Sequence, residues 1–248
     1  MDLGIEGRVA LVTGASKGIG LAVARVLAAE GARVALASRS RERIDAAAVE
    51  VGGRGFVFDS EDLDAVPRLL DEVESALGPI DVYVANTGGP PRNADPLAIP
   101  REQWEAAHRS LVLSPMAVLE RALPGMRARG WGRVVVVASY VAREPAAALQ
   151  LSNAHRPGVL AALKVLAREA AADGVTLNAV LPGYIATDRV IGDGTREEAE
   201  ARVRGTIPAR RMGEPAELAA AVAFLCSGPA SYVTGEALTV DGGLTHGY

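Results

Sequence analysis

Short apolar runs alternate along the whole chain with longer Ala/Val/Leu-rich stretches of helical period. Continuous apolar runs suit strands buried on both faces, so the alternation predicts a parallel sheet covered by helices on either side. Strands are predicted at Val9–Thr13, Arg33–Ala37, Gly55–Phe58, Asp81–Ala85, Gly132–Ala138, Val175–Leu181 and Ala237–Val240. Helices are predicted at Leu21–Ala29, Arg41–Val49, Asp62–Leu77, about Arg101–Arg129, within Ser152–Ala172, and about Glu214–Cys226. Four consecutive valines make Gly132–Ala138 the clearest buried strand. Gly183–Arg204 is polar and reads as a mobile segment. No repeat or linker divides the chain, so one doubly wound α/β domain over residues 1–248 is expected.

The first strand runs straight into Gly14-Ala-Ser-Lys-Gly18-Ile-Gly20, and a helical pattern follows at once. A strand, a glycine turn and a helix N-terminus together make a phosphate site. Gly14 permits the turn, Gly18 lets backbone N–H groups approach a diphosphate, and Gly20 lets the helix pack closely. In that context the pattern points to dinucleotide binding rather than to an ordinary turn.

Composition narrows the partners. Hydrophobic residues are 49% and charged residues 23% of the 248, which describes a globular protein. A formal net charge of −4 leaves no electrostatic footprint for nucleic acid or an acidic membrane. No basic stretch followed by an apolar one opens the chain, and no apolar run is long enough to span a bilayer, so the cytoplasm is expected. Cys226 is the single cysteine and lies in an apolar run, where a small core residue is expected and no metal cluster is. The only lysines are Lys17 and Lys164.

The end of the second strand separates two cofactors. An NAD-preferring fold places a carboxylate there to hold the ribose 2′-hydroxyl. Here the residues are Ser38 and Arg39, with Lys17 contributing charge from the glycine turn. Arginine pairs readily with a 2′-phosphate, so NADP(H) is favoured over NAD(H).

Further landmarks follow in order: Asp59 and Asn86 after the third and fourth strands, Ser139 after the fifth, Asn178 with Leu181-Pro-Gly183, Thr187, and Tyr232-Val-Thr-Gly-Glu236 through Asp241-Gly-Gly243. With the glycine turn, this set resembles the short-chain dehydrogenase/reductase superfamily, its 3-oxoacyl-carrier-protein-reductase-like branch in particular. The resemblance covers essentially the whole chain. It implies a Rossmann-like domain with a mostly parallel seven-stranded sheet, assembled as a homodimer or homotetramer. It also implies a cofactor lined by Gly14, Ser16, Lys17, Gly18, Ile19 and Gly20, with Asp59 facing the adenine and Asn86 and Gly88 the ribose. Pro182, Gly183, Ile185 and Thr187 would line the carboxamide end. Asp59 and Asn86 can equally cap turns.

The catalytic positions depart from that family's usual set of an Asn, a Ser and Tyr-x-x-x-Lys. Counting from Trp104, the Asn position falls on Leu111; Ser139 is present; the Tyr and Lys positions fall on Ser152 and Arg156. The pattern is similar to an atypical subgroup that pairs Asn86-Thr-Gly-Gly-Pro-Pro91 with Ser152-Asn-Ala-His-Arg156. A serine hydroxyl is far less acidic than a phenol, and losing a positioned general acid costs about 10²–10⁴ in rate. Arg156 can bond a ribose and place charge, yet it cannot relay a proton.

Other donors are then weighed. His155 lies three residues after Ser152, but Pro157 disfavours helix before it unless the helix is just beginning, with Ser152 or Asn153 as N-cap. Tyr140 and Tyr184 flank the expected pocket, although strand alternation would turn Tyr140 away from the face of Ser139. Arg92, Arg143 and Glu144 border it as solvated charges. Lys164 lies about 12 Å along the helix from Arg156, too far to replace a lysine there. Pro145–Leu149 and Val190–Gly194 suggest a pocket wall and a lid. The leading expectation is an NADP(H)-dependent carbonyl/alcohol oxidoreductase with a non-standard proton donor, Ser139 polarising the carbonyl. The alternatives are an NADP(H)-binding sensor or assembly partner without turnover, and a non-redox isomerase or lyase.

Overall fold

The computed structural model describes residues 2–247; Met1 and Tyr248, the ends of the expected domain, lie outside the described residues. One seven-stranded sheet organises the chain: β1 (Val9–Thr13), β2 (Arg33–Ser38), β3 (Arg54–Val57), β4 (Val82–Ala85), β5 (Gly132–Val137), β6 (Val175–Pro182) and β7 (Ala237–Val240). The spatial order is β3-β2-β1-β4-β5-β6-β7, and every pairing is parallel rather than mostly so. Strand order reverses direction between β1 and β4. In such sheets the crevice beyond the carboxyl ends of those two strands is where ligands bind.

The helices are α1 (Gly18–Ala29), α2 (Arg41–Val51), α3 (Val66–Leu77), α4 (Arg101–His108), α5 (Ser114–Ala128), α6 (Gln150–Ala170), α7 (Asp188–Ile191), α8 (Arg196–Val203) and α9 (Pro215–Leu225). Two apolar clusters fill the layers on either face. Phe56, Leu69, Tyr83, Leu119, Val134 and Leu177 belong to one; Leu27, Leu36, Val84, Val135, Leu218 and Cys226 belong to the other. Burial pushes the Cys226 thiol up to about 12, so it packs as an inert core side chain.

Three expectations are corrected. The predicted Arg101–Arg129 helix widens into a π turn at Arg109–Leu113. Pro115 has no N–H to offer the Leu111 carbonyl, and Ser110 Oγ bonds back to the Ala106 carbonyl at 2.9 Å; both loosen the α ladder there. Helix α6 begins at Gln150 with Leu149 at its N-cap, so neither Ser152 nor Asn153 caps it, and Pro157 lies inside it. In the buried stripe, Val159 and Leu163 pack against the sheet and Leu151 against Leu111, and that packing outweighs the roughly 3 kcal/mol cost of an interior proline. Asn153 instead pins the preceding loop, donating to the Ala146 carbonyl at 2.9 Å. The polar segment Gly183–Arg204 is structured. It contains α7 and α8, whose Ala199 and Val203 pack with Ile207 and Met212 in a small separate core.

Candidate active site

The glycine turn closes on β4. At Gly20 a Cβ would stand 2.3 Å from the Gly14 carbonyl oxygen, and at Gly14 it would stand 2.5 Å from the Asn86 carbonyl oxygen. Both are backbone contacts, so no side chain fits at either position. Gly14 and Gly18 have φ of 59° and 58°, in the left-handed region. Asn86 locks the turn: its Nδ2 donates to the Gly14 carbonyl at 3.0 Å, and its backbone N–H to Thr13 Oγ1 at 3.2 Å. Thr13 Oγ1 donates back to the Asn86 carbonyl at 3.0 Å. Lys17 stands at the N-cap of α1 without a side-chain cap bond, which leaves the first N–H groups open toward the crevice. Ser16 and Ile19 sit half-buried on the same turn.

At the end of β2 the Ser38 Oγ is buried with no hydrogen-bond partner, and Arg39 is exposed beside it. Asp59 follows β3 half-buried and accepts from the Glu61 N–H at 3.1 Å, a turn-capping bond. Gly88 is exposed in the loop after β4. Pro182 ends β6, and Gly183 lies so close to Asp241 that a Cβ would meet its Cβ at 2.8 Å. Ile185 is buried, and Thr187 stands at the N-cap of α7 with its methyl 3.3 Å from where a Gly18 Cβ would be. An orphaned buried hydroxyl, a backbone cradle that admits no Cβ and an uncapped helix start are together what a dinucleotide fits.

Arg156 carries the other half of the site. It is 7% exposed, and its Nη1 donates to the Val137 carbonyl at 2.8 Å. Helix α6 runs antiparallel to β5, as a crossover helix must. Ser152 is therefore about 6 Å above Arg156, and Ser139 about 6.6 Å above Val137. Both serines therefore lie on the carboxyl side of the Arg156–Val137 bond. Ser139 caps the short 3₁₀ turn Tyr140–Ala142, accepting from the Val141 N–H at 3.4 Å. Burial, then the Arg189 charge, lower Arg156 to about 10, which leaves it cationic at neutral pH.

The structure sorts the remaining candidates. Leu111 is buried on the π turn, packed with Leu151 and Trp104. Tyr140 does not follow strand alternation because β5 has already ended; its ring lies 6.0 Å from that of Tyr184. Burial and then the neighbouring Tyr184 phenol push the Tyr140 hydroxyl well above the usual phenol range. His155 turns to the far side of α6, with its ring 5.8 Å from Trp104 and 5.6 Å from His108 and Nδ1 against the Leu151 carbonyl at 2.7 Å. Arg143 and Glu144 are not free. Arg143 binds the Ala237 carbonyl at 2.9 Å, and Glu144 accepts from the His246 N–H at 2.8 Å. Lys164 bonds the Gly235 carbonyl at 2.8 Å, away from Arg156.

Two residues that tie the crevice together escaped sequence reading. Asp188 pairs with Lys17 at 2.8 Å, and Arg189 donates to the Gly89 and Pro90 carbonyls at 2.7 and 2.6 Å. Together they fasten α7 to the glycine turn and to the loop after β4. The only sequence signal is Gly89: a Cβ there would stand 2.6 Å from Arg189 Nη2.

A family model described as Enoyl-(Acyl carrier protein) reductase matches residues 14–245. The chain belongs to the short-chain dehydrogenase/reductase superfamily of oxidoreductases. Within it the chain falls in the branch resembling 3-oxoacyl-carrier-protein reductase. It is 35% identical over 244 residues to 3-oxoacyl-[acyl-carrier-protein] reductase FabG of Vibrio cholerae, covering 98% of this chain and 99% of that one. Nodulation protein G of Azospirillum brasilense is 34% identical over 247 residues, 96% of this chain and 98% of the relative. Among solved structures, L-sorbose reductase of Gluconobacter frateurii, complexed with NADPH and L-sorbose, superposes with a TM-score of 0.92 at 31% identity, over 100% of both chains. No helix of the described residues is long and apolar enough to cross a membrane.

Proposed function

We propose that the protein is an NADP(H)-dependent reductase of a carbonyl/alcohol pair that works without a phenol acid at the usual position. The observation that carries this is Arg156: a buried guanidinium held on Val137 keeps a permanent charge just below Ser139 and Ser152. The diphosphate is held by the Gly14–Gly20 turn, a 2′-phosphate by Arg39 and Lys17 near the orphaned Ser38 hydroxyl, and the carboxamide end by Pro182, Gly183, Ile185 and Thr187. Asp59 lies on the adenine side, and Asn86 and Gly88 on the ribose side. When bound, the reduced nicotinamide supplies a hydride to the carbonyl carbon.

The chain's own residues manage the oxygen. Ser139 donates a hydrogen bond to it, and Arg156 orients the cofactor ribose while stabilising the negative charge that develops above it. As the carbon accepts the hydride, the carbonyl π pair moves to oxygen, which takes one proton to give the alcohol. Arg156 stays protonated, and Tyr140 is shifted in the wrong direction for an acid. In this reading a water bonded to Ser152 delivers the proton and regains one from bulk solvent, so no hydroxide is left in the site. The absence of a tuned acid also supports a second reading, a binder of NADP(H) without turnover. A cytoplasmic homodimer or homotetramer suits the family and the open apolar groove formed by Met116, Leu119, Leu123 and Leu166.

The test is direct. Titration with NADPH and NADH by fluorescence gives tighter binding of NADPH. Absorbance is then followed with a panel of ketones and 3-oxoacyl thioesters. Turnover abolished by Ser139→Ala supports the reductase; binding with no oxidation across the panel supports the binder.

A further inference from the structure

The crevice carries more positive charge than a neutral carbonyl substrate needs. Arg156 spends one N–H on Val137, leaves Nε buried with no partner, and pairs with no carboxylate among the described residues. Arg189, whose charge reaches Arg156, is pinned over the loop after β4 by the Gly89 and Pro90 carbonyls. Arg92, two residues further along that loop, is exposed, forms no ion pair among the described residues, and its charge reaches both Arg189 and Tyr140. Each guanidinium feels its neighbour. Burial and then Arg92 lower Arg189, just as burial and then Arg189 lower Arg156.

Neither nearby carboxylate bonds any of these three arginines. Asp188 is taken by Lys17 at 2.8 Å, and Glu144 by the His246 N–H and ring at 2.8 Å. Like charges placed together without an anion between them are unfavourable, and a buried unpaired donor adds to that cost. The dinucleotide does not supply the missing anion. Its diphosphate belongs to the turn after β1 and a 2′-phosphate to the end of β2, whereas these arginines gather across the switch point, beyond β4, β5 and β6.

We propose that the carbonyl substrate is an oxo acid, its carboxylate gripped by Arg92 and Arg189 at the mouth of the crevice with Arg156 beneath. A planar guanidinium fork matches a planar carboxylate through two parallel bonds. The assignment rests on the reductase reading and goes beyond it by naming the substrate class.

The experiment uses matched pairs: 2-, 3- and 4-oxo acids of four to eight carbons, each against its primary amide, with NADPH. At least one acid is expected to exceed its amide about tenfold or more in kcat/KM, the usual worth of a hydrogen bond to a charged group. Its KM should rise with salt while that of the amide does not. Arg92→Gln should collapse the acid-to-amide ratio through KM, and Arg92→Lys should restore part of it. Calorimetry with NADPH present keeps the two readings separate. An acid that binds about tenfold tighter than its amide without turnover upholds the carboxylate site and sinks the reductase. Amides used as well as acids, or no acid bound more tightly than its amide, overturn the carboxylate site whatever becomes of the reductase.

Discussion

The Nη1 of Arg156 lies 2.8 Å from the Val137 carbonyl, so α6 and the end of β5 are joined by a cation that no carboxylate among the described residues neutralises. That bond ties α6 to the end of β5 below both Ser152 and Ser139. A buried charge of this kind costs stability and is kept for what it does.

Arg156→Met therefore separates stability from activity. The variant is expected to melt at the same temperature or higher, because the desolvated charge is gone. Its kcat/KM should fall by about 10² or more, the scale seen when one oxyanion-stabilising donor is lost. Calorimetric melting beside steady-state kinetics checks both.

Ser152→Tyr combined with Arg156→Lys is expected to create generic carbonyl reduction. The frame around the two positions is that of the reductase relatives, and a positioned general acid adds about 10²–10⁴ in rate. No gain in the double variant, with NADPH binding intact, would place the deficit in the substrate pocket rather than in the proton donor.

Gly20→Ala forces a Cβ to within 2.3 Å of the Gly14 carbonyl oxygen, and neither side of that contact can swing away. The expected cost is about 1–3 kcal/mol in urea unfolding, as for other overpacked sites. NADPH affinity should be lost with it. Gly205→Ala is the control for an added Cβ away from the crevice, since nothing lies within 4 Å of it and its backbone is not left-handed.

Lys17 and Asp188 are both well exposed, and such pairs are worth about 0–1 kcal/mol. The clasp is thus easily opened, and a 2′-phosphate competes with Asp188 for the same ammonium. Asp188→Asn should tighten NADPH binding several-fold and leave NADH unchanged. Equal changes for both cofactors would remove Lys17 from 2′-phosphate recognition.

Acid stability reports Glu217. Its bond from Arg211, then one from the Glu214 N–H, hold the carboxyl down at about 2, against an ordinary value of 4.5. A depressed folded value means the contribution is fully present above about 4.5 and is lost as pH falls toward about 2. Glu217→Gln should flatten that limb of a melting-temperature profile and leave the profile above pH 5 parallel to the parent. The effect is small, because both side chains are about half exposed.

Much of this was legible from residue patterns. Buried parallel strands read as continuous apolar runs, so the strands could be read to within a residue at most ends, and the glycine turn could be read from its spacing between a strand and a helix. The start of α6 could not. Pro157 argues locally against helix, and only the packing of the buried stripe decides otherwise. Strand alternation does not extend to Tyr140, which lies three residues past the end of β5 on a 3₁₀ turn. His155, adjacent to Arg156 in the chain, faces Trp104 and His108 because successive helical residues point about 100° apart.

The order of residues alone determined the α/β class, the dinucleotide-type turn and the exchange of Tyr and Lys for Ser152 and Arg156, because each is written in local spacing and side-chain chemistry. Only the tertiary structure decided what surrounds that exchange. Val137 under Arg156, Asp188 on Lys17, and Arg189 across Gly89 and Pro90 join residues far apart in the chain. Their charges meet because the carboxyl ends of β1, β4, β5 and β6 converge on one crevice.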